Sequence, residues 1–175
     1  MSAPLWAPWR IDYILGPKSG GGCVFCVAPS AEEEELRERL VVHRQARTFV
    51  MLNRFPFASG HLLVMPIAHV QHLEDLDADT HTELFDLVRT SVAILKRALR
   101  CEGLNVGINL GPTAGAGIAE HLHVHVVPRW AGDTNFMPVI ADARVVPQAL
   151  TATRDHLAPY FDGTKPVASR ESSNG

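Results

Sequence analysis

Three histidines alternate with apolar residues in His121-Leu122-His123-Val124-His125-Val126-Val127-Pro128-Arg129-Trp130, and no other stretch restricts the possible folds of this chain so tightly. Strict alternation is the pattern of a half-buried β-strand. Side chains at i, i+2 and i+4 share one face of a strand. His121, His123 and His125 are therefore predicted to line one face over roughly 13 Å, at ~3.3 Å per residue. Leu122, Val124 and Val126 then point into a core on the other side. Pro128 is expected to end the strand, because it has no N–H to give to a ladder.

Three chemical readings of the trio compete. The first is a solvated strand face. The second is a catalytic metal site, since two histidines at i and i+2 can share a zinc ion. The nearest acidic residues, Glu120 and Asp133, complete no ligand pattern for it. The third is a nucleophilic histidine, because imidazole is neutral near pH 7 and its second nitrogen can be held by a neighbour that fixes the tautomer. Three histidines in strict alternation, directly behind a glycine-rich stretch, favour the third.

That glycine-rich stretch is Gly111-Pro112-Thr113-Ala114-Gly115-Ala116-Gly117-Ile118. Small residues let backbone N–H groups approach a ligand closely, and consecutive N–H groups can form an anion nest. A tight turn would need no more than the same residues. Next to the trio, a phosphate cradle is the reading adopted.

Cys23-Val24-Phe25-Cys26 follows a flexible run from Ser19 to Gly22. A redox motif would be expected beside a βαβ pattern, which the sequence does not show. Two unrelated buried thiols and a metal knuckle are the remaining uses. A knuckle needs two more ligands.

The other elements follow from periodicity. Ala31 to Arg39, with its glutamate run, reads as a short solvated helix. Val41-Val42, Thr48–Leu52 and His61–Met65 read as strands, with Asn53–Gly60 as a turn-rich connection. Asp79 is the expected N-cap of a long helix reaching about Leu99. Its apolar stripe is Leu84, Leu87, Val88, Val92 (or Ser91), Leu95 and Leu99. Leu104–Leu110 is a further strand, and Gln148–Tyr160 a final helix. Short strands around one long helix predict an α+β fold, an antiparallel sheet with helices packed on one face.

Composition narrows the function classes. At 175 residues the chain is expected to be one domain. Apolar residues make up 46% and charged residues 20%, ordinary for a globular protein. A net charge of -3 offers no basic field for nucleic acid, so a phosphate ligand must be held by local groups. No apolar run approaches the ~18 residues of a membrane span, and no uninterrupted apolar segment marks a signal peptide. Three cysteines make no disulfide framework, and a cytoplasmic location is expected.

H-x-H-x-H followed by two apolar residues resembles the signature of the histidine triad family of nucleotide hydrolases and transferases. The likeness extends from Leu5-Trp6-Ala7-Pro8-Trp9-Arg10 to Gly132-Asp133-Thr134-Asn135-Phe136-Met137. These flanks are similar to a bacterial branch that includes diadenosine tetraphosphate phosphorylases. Trp6, Trp9 and Tyr13, with Pro4 and Pro8, make residues 1–22 an N-terminal arm, and the polar end with Pro166 makes 162–175 a disordered tail; the resemblance implies a histidine triad (HIT) domain over 23–161 between them. It also implies a homodimer sharing one continuous sheet.

It further implies nucleotidyl transfer on dinucleoside polyphosphates, with phosphate or water as acceptor. His123 would be transiently nucleotidylated, with His121 and His125 completing the catalytic trio. His125 and His61 would donate to phosphoryl oxygens. Asn109 and the amides of Ala116, Gly117 and Ile118 would stabilise developing charge, and Asn53 would help hold the nucleoside. Zinc-bearing members of the family suggest a structural zinc site of Cys23, Cys26, His69 and His121, with His72 as a substitute for His69 if the register slips. Hydrolases like the fragile-histidine-triad type carry Gln where this chain has Gly117, and the related phosphorylases carry Ser and lack the cysteine pair. The acceptor therefore stays open. His125 in place of Gln argues against the sugar-phosphate uridylyltransferase branch. A nucleoside phosphoramidate hydrolase and a non-catalytic nucleotide-binding module are the alternatives.

Overall fold

The computed structural model describes residues 22–133 and 149–162. The expected arm with Trp6, Trp9 and Tyr13, the Thr134–Met137 part of the loop after Trp130, and the tail beyond Asp162 lie outside the described residues. Five strands form one antiparallel sheet: β1 (Val41–Arg44), β2 (Thr48–Leu52), β3 (Leu62–Pro66), β4 (Gly103–Ile108) and β5 (Val124–Arg129). Their spatial order is β1-β2-β3-β5-β4, so β5 slots between β3 and the edge strand β4. The helices are α1 (Glu33–Glu38), α2 (Ala78–Leu99) and α3 (Leu150–Asp162).

The period-2 side-chain rule sorts the sheet into two cores. Val50, Leu52, Leu62, Val64, Leu122, Val124 and Val126 pack with Leu84, Leu87, Leu95, Leu157 and Phe161 of α2 and α3. Phe49, Met51, Leu63 and Met65 face the other way and pack with Phe25 and Val27. His123 and His125 share that second face, because Leu63 pairs with His125. The long helices thus cover one face, as expected, and leave the histidine face for chemistry.

Two boundaries differ from the sequence reading. The N-cap of α2 is Asp77 rather than Asp79: its carboxylate accepts the Thr80 N–H at 2.8 Å and the Thr80 hydroxyl at 2.7 Å. These bonds hold the Asp77 carboxyl below the usual carboxylate range. Asp79 sits inside the first turn and pairs with Arg47 at 3.1 Å. In the apolar stripe Ser91 is the fully buried residue, its hydroxyl donating to the Leu87 carbonyl at 2.8 Å. Val92 only borders that core, and Ile94, not foreseen, joins it.

The triad strand is shorter at its start and longer at its end than predicted. Continuing the β3–β5 register from Val64↔Val124 would set Leu122 against Pro66, which has no N–H to give. The Pro66 carbonyl is taken by His121 Nε2 at 2.9 Å, and the Leu122 amide donates to the Val70 carbonyl at 2.7 Å. Pro128 does not end β5. Pairing with β3 stops at Val126, and Pro128 faces only Leu104 of β4, a position where a missing N–H is tolerated.

Gly60 makes the turn into β3. Its φ is +78°, and a Cβ there would lie 2.3 Å from Leu99 Cδ1 and 3.6 Å from Pro128. Gly60→Ala should destabilise the protein by about 1–3 kcal/mol, combining left-handed strain with overpacking. Urea unfolding curves that superimpose for the two proteins would show that the turn relaxes freely.

Candidate active site and a neighbouring cluster of metal ligands

His123 is buried and fixed at one ring nitrogen. It is 7% exposed, and its Nδ1 lies 2.8 Å from the His121 carbonyl oxygen. A carbonyl can only accept, so Nδ1 carries the proton and Nε2 keeps its lone pair. Burial pushes the ring below the usual imidazole range, and the bond to the His121 carbonyl offsets this only in part. The site therefore presents a neutral imidazole in a single tautomer, which is the reactive form of a nitrogen nucleophile.

His125 is set up as a donor by a chain of contacts behind it. The Phe57 N–H donates to His61 Nδ1 at 3.2 Å. Asn53 Oδ1 accepts the Phe55 N–H at 2.9 Å, which turns the Asn53 amide nitrogen toward the same His61 Nδ1 at 3.3 Å. A nitrogen that accepts carries no proton, so His61 is protonated on Nε2. That atom donates to His125 Nδ1 at 2.9 Å, and His125 in turn is protonated on Nε2. Asn109 Nδ2 stands 3.5 Å from this atom. Two N–H groups thus point to the same space, an arrangement suited to an anionic oxygen.

This geometry changes the places of two predicted residues. His61, expected to touch phosphoryl oxygens, is 0% exposed and lies behind His125. Asn53, expected at the nucleoside, directs both polar atoms of its side chain into the turn that holds His61. Phe57, which sequence reasoning passed over, stacks on the His61 ring at 5.1 Å. Its Asn53–Gly60 context was legible only as a turn.

The glycine-rich loop begins with a short 3-10 turn at Pro112–Ala114. Gly111 and Gly115 have φ of +78° and +87°, so the loop needs glycine at both. The Ala116 amide folds back onto the Gly111 carbonyl at 3.4 Å, which removes it from the predicted cradle. Among the described residues the amides of Gly117 and Ile118 donate to no other group, and only Ala119 and Glu120 separate them from the triad.

Beside the triad, Cys23, Cys26, His69 and His121 bring four ligand atoms within 4.8 Å of one another. His121 Nδ1 lies 3.5 Å from the Cys23 sulfur and 3.7 Å from that of Cys26, and His69 Nδ1 lies 3.3 Å from Cys26. A tetrahedral divalent ion ~2.3 Å from sulfur and ~2.0 Å from nitrogen would hold such atoms about 3.6 Å apart. The His121 Nε2–H donates to the Pro66 carbonyl at 2.9 Å, leaving Nδ1 bare for a metal, a common outer-shell arrangement. With both ring nitrogens so directed, His121 faces the cysteines rather than a substrate. Only its carbonyl reaches the catalytic trio.

Burial, then the adjacent Cys23, push the Cys26 thiol up, so a thiolate at Cys26 needs a cation. His69 fills the position for which His72 was the substitute. His72 instead precedes the short Leu73–Asp75 turn. Arg39 was not foreseen: it donates to the Val24 carbonyl at 2.9 Å and the Cys26 carbonyl at 2.7 Å, tying the knuckle to the end of α1.

Comparison with known proteins gives the family. Residues 34–132 match the HIT domain. The chain is 41% identical over 162 residues to the AP-4-A phosphorylase of Mycobacterium tuberculosis, covering 88% of this chain and 82% of that one. Among solved structures, a hypothetical histidine triad nucleotide-binding protein from Sulfolobus tokodaii superposes with a TM-score of 0.59 at 26% identity, over 70% of this chain and 83% of that one. A zinc-bound histidine triad family protein from Mycobacterium smegmatis has a TM-score of 0.57 at 22% identity, over 70% and 84% of the two chains. With more than half of its length in the domain and the three alternating histidines in place, the chain belongs to the HIT, or histidine triad, family.

Proposed function

We propose that this protein is a nucleotidyl hydrolase or transferase acting on dinucleoside polyphosphates of the diadenosine tetraphosphate kind, through a nucleotidyl-His123 intermediate. The observation that carries the reading is the bond from His123 Nδ1–H to the His121 carbonyl at 2.8 Å, which commits the Nε2 lone pair to attack. The substrate class is supported by the likeness to a mycobacterial AP-4-A phosphorylase over 88% of the chain.

The steps balance as follows. His123 Nε2 bonds to the α-phosphorus as the bond from phosphorus to the leaving polyphosphate oxygen breaks. His125 Nε2–H, the Asn109 amide and the N–H groups of Gly117 and Ile118 take up the charge gathering on the phosphoryl oxygens. Water, giving up a proton to solvent, or inorganic phosphate then attacks the same phosphorus. The P–N bond breaks, and its electron pair returns to the ring. His61 and Asn53 act from behind, holding the His125 tautomer rather than touching the nucleotide.

Cys23, Cys26, His69 and His121 are the residues that would hold zinc. Two thiolates balance the charge of Zn²⁺, and four protein ligands leave no open position, so the ion's contribution is structural. A homodimer fits the sheet: β4 is an edge strand, and Val106 and Leu110 are exposed apolar residues on or just beyond it. Among the described residues no helix is long and apolar enough to cross a membrane, and all three cysteines are free thiols, in keeping with a cytoplasmic address.

The test presents diadenosine tetraphosphate with and without inorganic phosphate, alongside adenosine phosphoramidate. Nucleoside diphosphate formed only with phosphate identifies phosphorolysis, and AMP formed without it identifies hydrolysis. Faster cleavage of the phosphoramidate than of the dinucleotide would overturn the substrate class. Tight nucleotide binding with no turnover of any of them would overturn the enzyme reading.

A further inference from the structure

Phe25 lies between the two cysteines, at the tip of the knuckle, and is 9% exposed. Its ring meets the His123 imidazole at 5.1 Å and 61°, and the His121 imidazole at 6.0 Å and 88°. Both are edge-on contacts of the kind aromatic rings favour. The His125 ring borders His123 from another direction, at 4.9 Å and 70°. The imidazole of His123 is thus fixed at Nδ1 by the His121 carbonyl and flanked by two rings. One of the two is carried by the cysteine knuckle.

We propose that Phe25 is a positioning residue for the nucleophile, delivered to it by the Cys23–Cys26 knuckle, so that the metal cluster orients His123 from two sides. One side is the His121 backbone carbonyl, and the other is the Phe25 ring. The proposal rests on reading His123 as the nucleophile and the cluster as a metal site. Its physical content is geometric. A ring flip of His123 would put Cδ2 in the place of Nδ1 and Cε1 in the place of Nε2, breaking the bond to the carbonyl and turning the lone pair away from the substrate. The Phe25 ring, packed against the imidazole at 5.1 Å, restrains that rotation. Val24, the neighbouring knuckle residue, is 56% exposed and makes no comparable contact.

The experiment compares Phe25→Ala and Phe25→Leu with Val24→Ala, all in metal-loaded protein with metal content measured. Phe25→Ala should lose about tenfold or more in kcat, equivalent to ~1.4 kcal/mol, while KM stays within about threefold. The ¹⁵N shifts of the His123 ring should pass from one tautomer to a mixture. Val24→Ala should match the wild type in both. Stripping the metal from the wild-type protein should produce the same mixture of tautomers, a readout independent of turnover. If Phe25→Ala fails to fold or to hold metal, Phe25→Leu, which keeps the bulk but not the ring, is read in its place. Metal-loaded protein without the Phe25 ring, but with wild-type kcat and a single His123 tautomer, would overturn the proposal. Turnover surviving in His123→Asn would instead overturn the reading beneath it, so the two failures are distinct.

Discussion

His123→Asn should bind diadenosine tetraphosphate almost as the wild-type protein does and turn it over at least ~10⁴ times more slowly. The expectation comes from the electron pair. Nε2 of His123 is the atom that the bond to the His121 carbonyl leaves unprotonated, and an asparagine amide offers no comparable lone pair. A factor of ~10⁴ corresponds to about 5.4 kcal/mol of transition-state stabilisation. That is too much to attribute to altered packing at one position. Binding should change little, because His125, Asn109 and the loop amides that would meet the phosphoryl oxygens remain in place. Intact-mass analysis after mixing and quenching should show one nucleotidyl adduct on the wild-type protein and none on the variant. A variant with wild-type turnover, or an adduct mapped to another side chain, would end the mechanism.

The parts of this site legible in the sequence were those written as local periodicity. Alternation placed His123 and His125 on one face, with Val124 and Val126 in the core behind them. The same rule drew β2 and β3, and the 3.6-residue period drew α2. What the sequence withheld depends on contacts between distant segments. Nothing in the neighbourhood of His61 says that it lies under His125, since that follows from the pairing of Leu63 with His125 across β3 and β5. The shortened start of β5 is of the same kind: the Leu122 amide goes to the Val70 carbonyl, over fifty residues earlier, rather than to β3. The shift of the α2 cap from Asp79 to Asp77 is more local. Both residues carry the right side chain, and only the geometry of the Thr80 amide chooses between them. Phe25 reads as an apolar residue between cysteines until the sheet brings His121 and His123 alongside it.

Removing the cluster's metal should produce the largest change in stability. Protein purified without chelator should carry about one zinc per chain, and Cys26→Ser should carry almost none. An ion present at 1,000 times its dissociation constant stabilises the folded state by ~4.1 kcal/mol. For a chain of this size that is a fall in Tm on the order of 8–16 °C. The fold should survive, because the larger core under α2 and α3 takes no residue from the knuckle. The smaller core should loosen, because Phe25 and Val27 belong to it. Acid should act in the same direction as the chelator. The metal-bound form has unprotonated thiolates and an unprotonated His121 Nδ1, so protons compete with the ion and its retention falls as pH falls. Burial lowers the proton affinity of the His121 ring and raises that of Cys26, so acid should reclaim the Cys26 sulfur before the His121 nitrogen. Calorimetry with metal analysis between pH 8 and 5 reads both effects together. A chelated protein with unchanged Tm and full turnover would show that these four side chains meet for some reason other than a metal.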